Sequence, residues 1–402
     1  MDISEKILSD PVSRWVLLSA KNKSYLVGGY VRDLLQNKIS KDRDFVIDGD
    51  AALIAQKTAR KFNGTFIKLH DQTFRVALKN GQFADFTRLS KGILDDLKRR
   101  DFTVNAIAWS PASGIVAPSG HLYDLSQKKI KAVSPENLLD DPLRILRAYR
   151  LAAQMQFDID PGTRKYLSRY CPRIIEVASE RITGELYGLL NDQLSLIYLR
   201  LCNEDKVLSQ VLGLSRRVIN TNMLAIQDFG QLLDKLAKLR NYKGFIASLD
   251  QDLSQGLKRS GLVRLYFLNR YRNASDLKCL KPSTRINKGL LSLRQNEEFR
   301  DRRMTDKLLL IRFMRAGDNI YEAAAVLSTM KKRSASRIIE RAQHYREVKS
   351  NKIINGVEIK KILGIESGPV LGEIKDRIFE LQYHGIIRNK REARKWIISN
   401  LT

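Results

Sequence analysis

The sequence predicts a small N-terminal α+β domain built on one mixed sheet, followed by an all-α region that fills the rest of the chain. Three observations carry this. Short β-rich runs separated by turns occupy about residues 25–132, namely Tyr25–Val27, Phe45–Ile47, Phe66–Leu69, Phe74–Leu78 and Phe83–Thr87. Between them, Ala51–Phe62 has the apolar spacing of a helix. After Ser134-Pro135 apolar residues recur at helical spacing almost to the end, a texture change that sets a domain boundary near residue 133.

The helical part breaks at Asn191-Asp192, at Lys281-Pro282-Ser283 and over Lys349–Asn355, where turn-forming residues cluster. These breaks divide the chain into a head of residues 1–133, a helical neck of 134–200, a helical body of 201–345 and a helical tail of 346–402. No internal repeat at solenoid spacing and no low-complexity tract is present.

A chain of 402 residues that is 43% hydrophobic has enough apolar mass for several cores. Its formal charge of +27 calls for a polyanionic partner, because Lys and Arg displace condensed counterions from a phosphate backbone. Nucleic acid is the first candidate. An anionic membrane would also attract such a surface, but Met1–Leu18 carries Asp2, Glu5 and Asp10 and no long apolar stretch. The chain therefore reads as soluble, with no membrane partner. Cys171, Cys202 and Cys279 are odd in number and widely separated, which implies reduced thiols in a cytoplasm.

Four motifs carry chemistry. In Tyr25-Leu-Val-Gly-Gly-Tyr-Val-Arg-Asp33 a β-run enters Gly28-Gly29 and then a helix-like stretch bearing Arg32. Two glycines at a strand-to-helix turn let backbone N–H groups approach an anion such as a triphosphate, or serve only as a turn. Next, Lys41-Asp42-Arg43-Asp44-Phe45 places two carboxylates one residue apart at the start of a strand. Alternation puts Asp42 and Asp44 on one face, where they repel unless a cation such as Mg²⁺ sits between them. A solvated strand edge is the plainer reading. Asp85, in Phe83-Ala-Asp-Phe86, is the candidate third carboxylate. In a two-metal site, one ion activates an RNA 3′-hydroxyl for attack on an α-phosphate and the other stabilises the departing pyrophosphate.

The third motif, Leu97-Lys-Arg-Arg-Asp-Phe-Thr-Val-Asn-Ala-Ile107, sets Arg100 and Asp101 ahead of an expected apolar helix. Asp101 is either its N-cap or an acceptor for a ribose hydroxyl, while Arg100 can reach phosphate. In the fourth, Asp140-Asp-Pro-Leu-Arg-Ile-Leu-Arg-Ala-Tyr-Arg150, Leu146, Tyr149 and Ala153 form an apolar face. Asp141, Arg144 and Arg147 lie opposite, and Arg150 falls nearer the apolar side. These charges form an intrahelical ladder, or else an Asp acceptor beside an Arg donor that matches the Watson–Crick edges of C and A.

In order and spacing, the four motifs resemble the class II tRNA nucleotidyltransferases, the CCA-adding enzymes and their bacterial poly(A) polymerase relatives. The resemblance implies that Gly28, Gly29, Arg32 and Arg100 contact an incoming nucleotide and that Asp101 contacts its ribose. It implies that Asp42 and Asp44 hold Mg²⁺ and that Asp141, Arg144, Arg147 and Arg150 select the base. It continues through Ser179-Glu-Arg-Ile-Thr-Gly-Glu-Leu186, Gly364–Ile374 and Leu381–Gly385. The activity implied is addition of CMP, AMP or both to the 3′ end of tRNA, with ATP, CTP and tRNA as partners. The alternatives are a poly(A) polymerase and a non-catalytic RNA-binding relative.

Two departures from the family pattern bear on this. Only Ser90–Asp96 separates Thr87-Arg-Leu89 from Leu97-Lys98, shorter than in relatives that add all three nucleotides, which points toward a CC-only or A-only enzyme. His70-Asp71 is the only His-Asp pair, and His121, His344 and His384 are not at ligand spacing, so the phosphohydrolase domain of some relatives is not expected. The basic clusters Lys258-Arg259 and Lys331-Lys332-Arg333, beside Tyr266 and Phe267, are either solvated faces over a core or part of a surface that follows the tRNA arms by shape.

Overall fold

The computed structural model describes residues 2–20, 24–40, 42–70, 72–270, 280–295 and 304–401; Lys41, Asp71 and Cys279, named above, lie outside the described residues. The chain divides into two compact units, Met1–Arg216 and Arg217–Thr402.

The first unit is organised by a seven-stranded mixed sheet in the order β3-β4-β5-β2-β1-β6-β7. Its strands are β1 (Ser24–Val27), β2 (Arg43–Ile47), β3 (Thr65–His70), β4 (Thr73–Ala77), β5 (Phe83–Arg88), β6 (Ala108–Ser110) and β7 (Gly114–Val116). Each of the five strands expected from the sequence is present. β2 and β5 run parallel, while β1 pairs antiparallel with both β2 and β6. Helices α1 (Ile3–Ser9) and α2 (Pro11–Ser19) precede the sheet, and α3 (Gly29–Leu35) and α4 (Ala51–Lys61) follow β1 and β2. α4 is the expected helix; Asp50 caps it by accepting from Leu53 N at 2.9 Å, and it buries Ala51, Ala55, Thr58 and Ala59.

Alternation along β2 separates two environments. On one face, Phe45 stacks on Phe86 of β5 with ring centroids 5.3 Å apart. On this face Arg43 also donates to both oxygens of Asp10, the N-cap of α2. The other face carries Asp44 and Val46, and Val46 clusters with Val27, Leu97, Ala106 and Ala108.

The segment after Asp101 corrects an expectation. Instead of an apolar helix, it forms a single 3-10 turn, Thr103–Asn105, and then β6. Ala106, Ile107, Ala108 and Trp109 are all buried. A continuous apolar run fills a strand buried on both faces, and it cannot be told from a helix by periodicity alone.

Beyond the sheet come α5 (Ile93–Lys98), α6 (His121–Ser126), α7 (Pro135–Asp140), α8 (Leu143–Met155), α9 (Pro161–Tyr170) and α10 (Ser179–Asn191), then α11 (Ser195–Glu204) and α12 (Val207–Leu212). The second unit is largely helical, but the expectation of an all-α region needs two amendments. Asp252–Ser254 and Leu257–Lys258 form a small hairpin, and Asp158–Ile159, in the first unit, pairs in parallel with Lys129–Ile130. Two- and three-residue strands are too short to leave a periodicity. The last core gathers Ile354, Ile359, Ile374, Ile378, Leu381, Ile387 and Ile397.

Several weighed alternatives resolve. Tyr266 and Phe267 are core residues. Lys258 pairs with Asp250, Arg259 with the fully buried Glu322, and Lys332 with Asp228. Cys171 and Cys202 are buried free thiols, and burial pushes the Cys202 thiol well above its usual pKa. Among the described residues, no helix is long and apolar enough to cross a membrane.

Candidate nucleotide and metal site

The site is assembled at the ends of β1 and β2. One register row crosses the sheet: Arg75 on β4 faces Asp85 on β5, Asp85 faces Asp44 on β2, and Asp44 faces Val27 on β1. Gly28 comes next in the chain with φ +73°, a left-handed backbone that only glycine adopts without strain. A Cβ at Gly28 would stand 3.1 Å from Arg100 Nη1 and 3.5 Å from Asp44 Oδ2. The carboxylate and the guanidinium therefore both close on the Gly28 turn. Gly29 opens α3, and Arg32 donates to Asn105 Oδ1 and, at 2.8 Å, to Asp33 Oδ1.

Burial pushes the Asp44 carboxyl from 3.8 to about 6. Arg100 opposes this shift, while Asp85 and Asp42 add to it by like-charge repulsion. A buried carboxylate repelled by two others is a donor set suited to a divalent cation, whose charge would reverse the penalty. Asp42, exposed just before β2, shares Asp44's face by alternation.

Asp85 is already engaged. It stands beside Asp44 as the third carboxylate should, but both of its oxygens are taken by Arg75, Nε at 2.7 Å and Nη2 at 2.8 Å. Among the described residues no three His, Cys, Asp or Glu side chains are gathered as a metal site. Cross-strand register decides the Arg75 contact, and a single sequence does not display register.

Asp101 is only 8% exposed and caps no α-helix. Its Oδ1 accepts from Phe102 N at 2.7 Å and Asn105 Nδ2 at 3.1 Å, and its Oδ2 from Arg147 Nη1 at 3.4 Å. Asn137 Nδ2 donates to the carbonyls of Lys98 and Arg100 at 2.8 and 2.7 Å, pinning this loop to α7. Arg100 also pairs with Asp96 at 3.0 Å.

The charges on and just before α8 form no intrahelical ladder. Asp141 accepts from Arg181 at 2.9 Å, and Arg144 Nη1 donates to the carbonyls of Arg99 and Asn137 at 3.0 and 3.1 Å. Arg147 Nε donates to Glu185 Oε1 at 2.9 Å, and Arg150 Nε donates to Glu185 Oε2. Arg150 thus shares one carboxylate with Arg147, and α8 buries Leu146, Tyr149 and Ala153 as expected.

Glu185 is the residue that the sequence reading missed. It lies in the quoted Ser179–Leu186 motif and is 8% exposed. A turn later, Gly188 makes room: a Cβ there would fall 2.5 Å from Arg150 Cδ.

This head matches a family description. Residues 24–131 match the poly A polymerase head domain. Through this head the chain is similar to the tRNA nucleotidyltransferases and poly(A) polymerases. It is 33% identical over 243 residues to a CC-adding tRNA nucleotidyltransferase of Synechocystis sp., covering 59% of this chain and 56% of that protein. Over 413 residues it is 26% identical to a CC-adding tRNA nucleotidyltransferase of Thermus thermophilus, covering 93% of each. Its fold matches the Thermotoga maritima CCA-adding enzyme complexed with tRNA, with a TM-score of 0.70 at 20% identity, over 100% of this chain and 99% of that one. The matched stretch spans about half the length of several curated relatives, which carry CC-adding and CCA-adding names.

Proposed function

We propose that this chain adds CMP, AMP or both to the 3′ end of tRNA without a nucleic-acid template. The observation that carries the reading is the convergence of Asp44 and Arg100 on Gly28, which brings a metal-compatible carboxylate and a phosphate-compatible guanidinium to an anion-compatible turn. Asp42 and Asp44 would hold Mg²⁺, with Asp85 as their neighbour across the sheet. The ion would supply Lewis-acid stabilisation of the attacking and leaving oxygens. The residues' own work is positioning. The Gly28-Gly29 backbone, Arg32 and Arg100 bind the triphosphate, Asp101 accepts from the ribose, and the 3′-hydroxyl oxygen bonds to the α-phosphorus as pyrophosphate leaves.

Asp141, Arg144, Arg147 and Arg150 would read the base edge. C and A each present an amino donor beside a ring-nitrogen acceptor, whereas U and G present the reverse. The same reading divides the chain into head, neck, body and tail at about residues 133, 200 and 345, and places it in the cytoplasm with its tRNA substrate.

Four residues, 89–92, join β5 to α5, and the two relatives quoted above carry CC-adding names. The first fits an enzyme limited to C or to A, and the second leans toward C. The test supplies Mg²⁺ and CTP, ATP or both to tRNA lacking its 3′ end and to tRNA ending in CC. Extension of the first by CTP only makes a CC-adding enzyme, extension of the second by ATP only an A-adding one, and completion of both a full CCA-adding enzyme. Long A tails would move the chain to the polymerase branch, and no incorporation would leave an RNA-binding protein.

A further inference from the structure

The C-terminal unit contains a cavity of about 500 Å³ whose walls include Tyr345, Phe379, Lys352, Lys375 and Asp376. That volume lies within the range of about 300–1,000 Å³ typical of small-molecule sites. Tyr345 lies on the helix Ala335–Ser350, and Phe379 and Lys375 lie on Pro369–Tyr383.

The lining has two characters. Tyr345 and Phe379 meet edge to face with ring centroids 5.0 Å apart, making an aromatic corner backed by Ile354, Ile359 and Ile378. Against it stand the ammonium groups of Lys352 and Lys375, neither of which has an ion-pair partner among the described residues. Asp376 is the carboxylate on this lining.

Tyr345 supplies an independent pointer. It is 5% exposed, lines the cavity, and its hydroxyl makes no hydrogen bond among the described residues. That oxygen is not sealed from water but opens onto the cavity, where it can donate to or accept from a bound group. A planar ring with a polar edge satisfies the hydroxyl and the aromatic corner together, and an attached phosphate satisfies the two lysines.

We infer that this cavity binds a nucleotide, as a free mononucleotide or as one unstacked residue of an RNA strand, apart from the site in the head domain. The inference deepens the proposed nucleotide and RNA chemistry but does not depend on catalysis.

The test is photo-crosslinking of the full chain without Mg²⁺, using 8-azido-AMP in one arm and a single-stranded RNA hexamer carrying 4-thiouridine in the other, followed by peptide mapping. Crosslinks within 345–382 are expected. Lys352→Glu with Lys375→Glu, both on exposed side chains, lowers the yield there about tenfold, and Tyr345→Phe lowers it about threefold while keeping the ring. Labelling by 8-azido-AMP assigns a mononucleotide site, and labelling by the hexamer alone assigns an RNA subsite. Crosslinks confined to residues 28–150, or a tail yield unchanged in the charge-reversed chain, overturn the inference and leave nucleotidyl transfer untouched. Loss of incorporation with tail crosslinks retained sinks only the catalytic reading.

Discussion

Replacing Glu185 tests whether one buried carboxylate holds the two arginines proposed to read the base. Glu185 accepts from Arg147 Nε at 2.9 Å and from Arg150 Nε, and the two arginine side chains are 29% and 22% exposed. Removing one partner of a buried pair typically costs about 3–5 kcal/mol. Here Arg147 keeps Asp101, Arg150 keeps Gln154 Oε1 at 2.7 Å, and both reach some water. The loss for Glu185→Ala is therefore nearer 2–3 kcal/mol, about two charge-assisted hydrogen bonds partly recovered by solvent. Glu185→Gln is the sharper probe. The amide has the same shape but a single acceptor oxygen, so one guanidinium must face an NH₂ group, at a cost of about 1–2 kcal/mol. Urea unfolding measures the stability change, and incorporation of CTP against UTP on tRNA lacking its 3′ end measures selection. Both variants should unfold earlier and discriminate less well between C and U. An unchanged midpoint for Glu185→Ala, or full discrimination in Glu185→Gln, would refute the positioning argument.

Three further outcomes follow from the same geometry. Asp42→Ala should abolish incorporation with tRNA affinity nearly intact, because Asp42 is exposed and tied into no core; wild-type incorporation would remove it from the metal site. The folded Asp44 carboxyl titrates at about 6 against 3.8 unfolded, so the native state holds that proton more tightly, and its contribution, present below 3.8, is lost as pH rises through 6. In EDTA, Asp44→Asn should thus stabilise the chain at pH 8 by up to about 3 kcal/mol and hardly at all near pH 4; a gain equal at both pH values in urea titrations would contradict the burial argument. Gly188→Ala separates two effects of opposite sign, because helix propensity alone favours alanine by about 1 kcal/mol. The 2.5 Å approach to Arg150 Cδ should outweigh this and give a net loss of about 1–2 kcal/mol, and a raised melting temperature would show that Arg150 moves aside freely.

The sequence by itself determined the local chemistry. Alternation in Asp42-Arg43-Asp44 already fixed which side chains share a face, the glycine pair at a β-run's end marked the turn, and helical spacing separated the buried face of α8 from its charged one. Each of these depends on neighbours within a few residues, where backbone geometry is the whole cause.

Only the tertiary structure decided pairings between distant segments. The register that sets Arg75 on Asp85, and the packing of α10 against α8 that brings Glu185 under Arg147 and Arg150, arise from contacts 10 to 38 positions apart. The continuous apolar run Ala106–Trp109, expected as a helix, instead enters a strand at Ala108, where pairing with β1 decides it. Hydrophobic pattern tells a segment that it must be buried, but partner and register come from the competition among all segments for the same core.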